Sequence, residues 1–460
     1  MATTSNHLCV LGIDIGTSSV KLSVIEKSTR LLLHLCSKET NTNNAKISLA
    51  DGTDEQDVSN IFSALHDCLV QINEWADRID TIAVTGQMHG VVLWQHKENF
   101  WCAQSQKFQF NEISPLYTWQ DARCSRKFLA TLPPDPHSSI STGFGCATLF
   151  WLHENHPQFL SKFNRAGTIQ DLLVVALCNL SFPLMSEQNA ASWGYFDLIN
   201  TTWNLEKLRS HDFPTHFLPK IKTSGSHAGK LTHDWFRIKS GAQVGVALGD
   251  FQCAFYALHE RDTDAVLNIS TSAQLAVLMP TNFIPGPPFP AVIWAPYFEG
   301  RFLAEAASLN GGNVLATFVT MLREWLGALD VQVPSEFDIW NKLLSTSEIS
   351  TGDLNVSPTI FGERHLPEMC GSITNINPTN ISLDNVFHAL CTGLVSNLRR
   401  LMPDEVWEKA NIDRIVATGS VVARNTIVRE EIQRQFTKIP VVVREECDAA
   451  TGAALVMIKS

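Results

Sequence analysis

Four short stretches carry residue types that could do chemistry. Asp14 ends an apolar run and is followed by Gly16-Thr17-Ser18-Ser19 and Lys21. A carboxylate at a strand end can hold a hydrated Mg²⁺. The turn after it can bring N–H groups and hydroxyls close to a phosphate, because Gly16 has no Cβ to block the approach. Lys21 adds a positive charge. In the second stretch, Gly86-Gln87-Met88-His89-Gly90, glycines flank an amide and an imidazole at a strand end, where α/β sheets bind polar ligands. The third is Gly249-Asp250, a carboxylate between a strand end and a helix start. Such a residue is usually an N-cap, and doubly wound sheets also place acids and bases there. The fourth, Leu309-Asn310-Gly311-Gly312-Asn313, opens a long helix at a point where N–H groups are expected to be free for a ligand.

Two of these features occur twice. Ile269-Ser270-Thr271-Ser272-Ala273 repeats the pattern of Ile15-Gly16-Thr17-Ser18-Ser19. Residues 412–419, ending in Ala417-Thr418-Gly419, repeat residues 79–86, ending in Val84-Thr85-Gly86. The order is the same in both halves, the mark of duplicated architecture. Two similar α/β domains, each with a Thr-Ser hairpin and a Thr-Gly strand end, suggest a nucleotide held in a cleft between them. Asp14 would then sit on the metal, and the two turns would embrace the two ends of the phosphate chain. Gly311, Gly419 and Ser420 would offer flat backbone to adenosine, and Gln87, His89 and Asp250 could converge on the group that receives the phosphoryl. Trp119-Gln120-Asp121-Ala122-Arg123 is open to two readings, a surface ion pair beside a packed tryptophan or part of that pocket.

These residues need strands and helices to position them. The β-branched runs around Asp14 read as two strands of a hairpin, and residues 30–36 as a third strand. Polar residues 37–56 read as a surface connection. Asp57 is an N-cap for a helix whose apolar positions run from Val58 to Trp75 at helical spacing. That helix leads into strand 81–85. Helices are expected over 143–151 and 168–180, mixed turn and strand over 189–203, and a short strand at 244–250 followed by a helix at 251–258. In the second half the pattern predicts a hairpin at 265–278 and an edge strand near 293–298. Helices follow through Trp325 and over 386–401, then strand 414–418, helix 427–436, strand 441–443 and a small-residue helix near 449–457.

Composition narrows the class. The 460 residues exceed a single core and fit two large domains. With 45% apolar and 18% charged residues the chain reads as an ordinary globular protein. A net charge of −11 argues against a nucleic-acid surface, and no apolar run reaches membrane-spanning length. Eleven scattered cysteines, without metal-ligand spacing, read as free thiols in a reducing compartment. The N-terminus lacks the features of a signal peptide, so a cytoplasmic protein is expected.

The motifs together resemble the FGGY carbohydrate kinases of the actin and heat-shock ATPase superfamily. The resemblance runs nearly end to end. It is carried by 14–19, Glu55-Gln56-Asp57, 86–90, 119–123, Gly249-Asp250, 268–274, 307–313, Gly362-Glu363-Arg364-His365, 371–376 and Gly452-Ala453-Ala454. It implies an α/β fold of two ribonuclease H-like domains with a nucleotide cleft between them. Residues 1–255 would supply sugar binding and the base, and 256–460 nucleotide binding. It further implies ATP and Mg²⁺, and a small ketose acceptor, sedoheptulose before xylulose, in a monomer or homodimer. Carried over by position, Asp250 is the general base and Asp14 the organiser of Mg²⁺. Thr17, Ser18, Ser19 and Lys21 contact the β and γ phosphates, and Thr271 meets them from the second domain. Gly311, Gly419 and Asn425 border adenosine. Met88 and His89 stand at the sugar, with Asp121 and Arg123 framing the pocket. The family has Gly where this chain has Ser270, and a position needing φ > 0 would strain serine by about 1 kcal/mol or more. That departure leaves room for a sugar-binding regulator without catalysis, and an actin-like ATPase without an acceptor is a further alternative.

Overall fold

The computed structural model describes residues 7–42, 52–135, 140–287, 289–345, 353–445 and 447–459. The chain forms two compact units, residues 1–257 with 296–300 and 447–460, and residues 258–295 with 301–446.

The first unit is built on β1 (Cys9–Ile15), β2 (Ser19–Glu26), β3 (Leu32–Glu39), β4 (Ile79–Gly86) and β5 (Gln243–Gly245). β1 and β2, and β2 and β3, pair antiparallel, whereas β4 runs parallel to β1 and β5 parallel to β4. All seven residues of β1 are buried, as expected of a central strand covered on both faces. One face is covered by α1 (Val58–Gln71), whose Ile61, Leu65, Cys68 and Leu69 enter the core. The final helix, Ala449–Lys459, also packs in this unit. A Cβ on Gly12 would lie 2.0 Å from the Ala450 carbonyl oxygen, and one on Gly452 would lie 1.9 Å from that of Cys253. Small residues therefore let the final helix press against β1 and against helix Asp250–Leu258.

The second unit repeats the core order with β6 (Asp264–Ile269), β7 (Ala273–Leu278), β8 (Phe302–Ser308), β9 (Arg414–Thr418) and β10 (Val441–Val443). β6, β7 and β8 form the antiparallel meander, and β9 and β10 continue the sheet in parallel from β6. Val292–Pro296 lies at the sheet edge, as the sequence suggests. Among the described residues no helix is long and apolar enough to cross a membrane, and all eleven cysteines are free.

Three local expectations change. The third strand begins at Leu32, because Glu26 to Leu31 close a turn with Arg30 at φ 58°. It also runs on to Glu39, into the expected polar connection, of which residues 43–51 lie outside the described residues. Helix α1 keeps its Asp57 cap but stops at Gln71, and Trp75 stacks on His34 at 4.6 Å instead of extending it. Residues 187–193, expected as turn and strand, form a helix capped by Ser186 and ended by Gly194 at φ 88°. Its polar side chains bond to neighbouring backbone, which a pattern of apolar spacing does not register.

Candidate active site

Register brings the two expected carboxylates to one level of the first sheet. Asp14 pairs with Thr85, and the short strand Leu248–Gly249 pairs with Thr85 and Gly86. Asp250 therefore emerges at the start of its helix beside the end of β4, the strand that also pairs with the Asp14 strand. Lys21 is the cross-strand partner of Asp14 in the hairpin. Burial raises the Asp14 carboxyl to about 7, the Asp250 charge adds to that rise, Lys21 opposes it, and Asp448 contributes a smaller like-charge push. Asp250 is raised to about 6 by burial, against hydrogen bonds from the Phe251 and Asp250 N–H groups and the charge of Lys21. A carboxylate titrating near neutrality is suited to receive a proton at physiological pH.

The Asp14 Oδ1 is buried without a hydrogen-bond partner. Among the described residues no group of three or more His, Cys, Asp and Glu side chains could hold a metal ion. Mg²⁺ does not require such a cage, since it keeps several waters and takes one or two carboxylates together with substrate phosphate. Asp14 fits that demand.

The turn after Asp14 is braced from several sides. The Gly16 N–H donates to Ser19 O at 3.0 Å, so that donor is taken within the turn. Thr17 O accepts from Gln56 Nε2 at 2.8 Å, and Thr17 Oγ1 accepts from the Trp119 indole at 3.0 Å, which leaves the hydroxyl proton to donate. Ser18 O accepts from Thr40 N at 2.9 Å. The Ser18 side chain is exposed, and Ser19 and Lys21 are half-buried.

The loop at 86–90 is fixed as firmly. Gln87 is buried; its N–H donates to Ile15 O and its Nε2 to Gln56 Oε1 at 3.0 Å. Met88 lies against Gly249, where a Cβ would come 2.7 Å from its sulfur. His89 adopts φ 71°, stacks on Phe144 at 4.6 Å and donates from Nδ1 to Ser192 O at 2.8 Å. The neutral ring then carries its lone pair on Nε2. Asp121 is fully buried and accepts from Arg123 Nε and Nη2 at 2.8 Å each and from the Asp54 N–H at 2.9 Å. The expected surface ion pair is thus a buried one, and Arg123 continues to Glu55 at 2.6 Å and over the Tyr117 ring. Asp121 and Arg123 brace the Trp119 and Gln56 segments.

In the second unit Thr271 is exposed at the hairpin tip. Ser270 is absent from the positive-φ residues, so the anticipated strain does not arise. Its hydroxyl instead donates to Asn268 Oδ1 at 3.1 Å and accepts from the Ser420 N–H at 3.2 Å. Gly419 has φ 105°, and a Cβ there would lie 2.4 Å from Ile269 O. The expectation of free N–H groups at Gly311 and Gly312 is corrected. Gly311 N donates to Asn313 Oδ1, Gly312 N to Ser270 O at 2.7 Å and Asn313 N to Thr271 O. These glycines let helix 312–328 close onto the hairpin, since a Cβ on Gly311 would sit 2.5 Å from the Ser272 backbone. Asn425 is buried, caps helix Thr426–Gln435 through Oδ1 and donates from Nδ2 to the Cys391 sulfur.

Two side chains received no role from sequence reasoning. Gln56 was visible only inside the Glu55-Gln56-Asp57 motif. Asp448 caps the final helix by accepting from Thr451 N and Oγ1, a cap legible from an acid before a run of small residues. Its place near Asp14 was not.

Comparison with known proteins gives the family. Residues 9–256 match the model of the FGGY family of carbohydrate kinases, N-terminal domain. The sedoheptulokinases of Mus musculus and Homo sapiens are each 44% identical to the chain, over 98% of its length and 97% of theirs. The solved structure of xylulose kinase from Rhodospirillum rubrum superposes with a TM-score of 0.79 at 16% identity, covering 97% of this chain and 89% of that one, a likeness of fold. The family model spans more than half of the sequence and both mammalian relatives match almost all of it, so the chain belongs to the FGGY family of carbohydrate kinases.

Proposed function

We propose that the protein is an ATP-dependent kinase that converts sedoheptulose to sedoheptulose 7-phosphate in the cytoplasm. The observation that carries the substrate is the 44% identity to two sedoheptulokinases over almost the whole chain. The raised carboxyl of Asp250, level with Asp14, supports the chemistry. Eleven free thiols fit a reducing compartment.

In this reading Asp250 accepts the proton of the ketose hydroxyl as its oxygen attacks the γ phosphorus in line with the departing ADP oxygen. Gln87, Met88 and His89 hold the ketose, with Asp121 and Arg123 bracing the wall beside them. Lys21 and the hydroxyls of Thr17, Ser18 and Ser19 offset phosphate charge, and Thr271 adds a contact from the second unit. Gly311, Gly419, Ser420 and the helix start at Asn425 border the nucleoside. Mg²⁺, held by Asp14, would neutralise phosphate charge, which together with positioning dominates phosphoryl transfer.

The test is to incubate the protein with Mg-ATP and ketoses of five to seven carbons and follow ADP release. Sedoheptulose should give the highest kcat/KM. A higher value for a five-carbon ketose would reassign the substrate, and ADP release independent of any sugar would make the protein an ATPase.

A further inference from the structure

Gln56 touches neither carboxylate, yet it joins the two loops that flank them. It is 1% exposed. Its Nε2 donates to Thr17 O at 2.8 Å and its Oε1 accepts from Gln87 Nε2 at 3.0 Å. Behind Gln87 the pattern continues, for Gln170 Nε2 donates to Gly86 O and Gln87 O at 3.1 Å each. The amides thus point the same way, from helix Ile169–Cys178 through the 86–90 loop to the turn at Thr17. The linked side-chain amides are those of Gln87 and Gln56, since Gln170 ends on backbone carbonyls. Linked amides polarise one another, and burial makes each link costly to leave open. Gln87 Oε1 and Gln170 Oε1, both buried without a partner, are the acceptors left over among these amides.

We infer that Gln56 is a positioning residue through which the ketose loop sets the phosphate-facing turn, so that ketose and nucleotide bind synergistically. The inference rests on the kinase reading. Gln56 sets the position of Thr17 O and hence of the Thr17, Ser18 and Ser19 hydroxyls, and its own amide is held by Gln87, the residue that precedes Met88 and His89. The bond is directional, which makes it testable. A carboxylate at position 56 can still accept from Gln87 but cannot donate to Thr17 O.

The experiment uses the full chain and its Gln56→Glu, Gln56→Leu and Gln87→Glu variants. It measures KM for Mg-ATP, calorimetric binding of a non-hydrolysable ATP analogue with and without the best ketose, and calorimetric binding of that ketose alone. In Gln56→Glu the ATP KM should rise about tenfold, the loss of one buried hydrogen bond, while ketose affinity without nucleotide stays within about twofold. Gln56→Leu should weaken both. Ketose should tighten analogue binding to the wild type but not to Gln56→Glu. Gln87→Glu breaks the preceding link, the donation from Gln87 to Gln56, and should also raise the ATP KM, which keeps the test alive if Gln56→Glu fails to fold. An unchanged ATP KM in Gln56→Glu, or equal losses of analogue and ketose affinity, each measured alone, with a lowered unfolding midpoint, would overturn the inference. If wild-type protein turns over no ketose, the kinase reading fails, while ketose-free analogue binding to wild type and Gln56→Glu still reports on the grip of Gln56 on the turn.

Discussion

In the first sheet Asp14 stands opposite Thr85, and in the second Asn268 stands opposite Thr418 at the equivalent place in the parallel ladder. The hairpins that follow differ by one residue. Ile15 pairs with Val20 across four intervening residues, whereas Ile269 pairs with Ala273 across three. The first tip begins with Gly16 and the second with Ser270, neither of them at positive φ. The left-handed backbone that only glycine takes without strain lies one strand over, at Gly419, whereas the matching Gly86 is not among the positive-φ glycines. The two halves therefore share a scaffold and differ in what they place at this point, a buried carboxylate in one and a neutral amide in the other. In the proposed function the first serves charge chemistry and the second borders the nucleoside.

Several substitutions would break or sharpen this contrast. The largest effect is expected from Asp250→Asn, which removes the proposed base. Its kcat should fall by about 10²–10⁴ with ATP-analogue binding kept, and near-normal turnover would remove Asp250 from that role. Next is Asp14→Asn, which makes the first strand end resemble the second. Mg²⁺-dependent turnover should drop about 10²-fold or more with ketose affinity retained in calorimetry. The same variant should be more stable than wild type at neutral pH. In the folded protein Asp14 titrates at about 7 against an ordinary 3.8, so its charged form is disfavoured there. Stability of the ligand-free protein should consequently fall as pH rises between those values, by at most about 4 kcal/mol from this group. Thermal unfolding of wild type and Asp14→Asn from pH 4 to 8 reads this directly, and midpoints that stay parallel across the range would refute it.

Gly419→Ala probes the neutral half. With φ 105° and a Cβ 2.4 Å from Ile269 O, alanine should cost about 2 kcal/mol or more, read as a lower unfolding midpoint. The smallest effect is expected from Ser270→Gly, which restores the family residue. It loses the links to Asn268 and Ser420 but relieves no strain, so stability should drop by only about 0.5–1.5 kcal/mol. A stabilised Ser270→Gly would mean that serine is strained after all.

Much of this contrast was legible in one dimension. Strands 414–418 and 441–443 fall where the apolar pattern puts them, and the repeated Thr-Ser and Thr-Gly signatures predicted two alike sheets. Turn and cap chemistry is local, so the Asp57 cap and the hairpin tips could be read from a few neighbouring residues. The helix at 187–193 escaped because its polar residues are buried against backbone far away in sequence, and no local periodicity records that. Gln56 escaped for the same reason: its partners lie 39 and 31 positions away.

The amino-acid order alone determined which residues could react, namely a carboxylate before a Gly-Thr-Ser-Ser turn, a second after a Gly, and an amide and imidazole between glycines. It also determined the duplicated strand pattern that carries them, because strand period, turn preference and capping act over a few residues. Tertiary structure alone decided that Asp14 and Asp250 share one level of the sheet and are shifted toward neutrality. It likewise returned the last helix to the first unit and closed the N–H groups of Gly311 and Gly312 onto a hairpin. Those outcomes depend on burial, register and charge at a distance, quantities that exist only once remote segments have met.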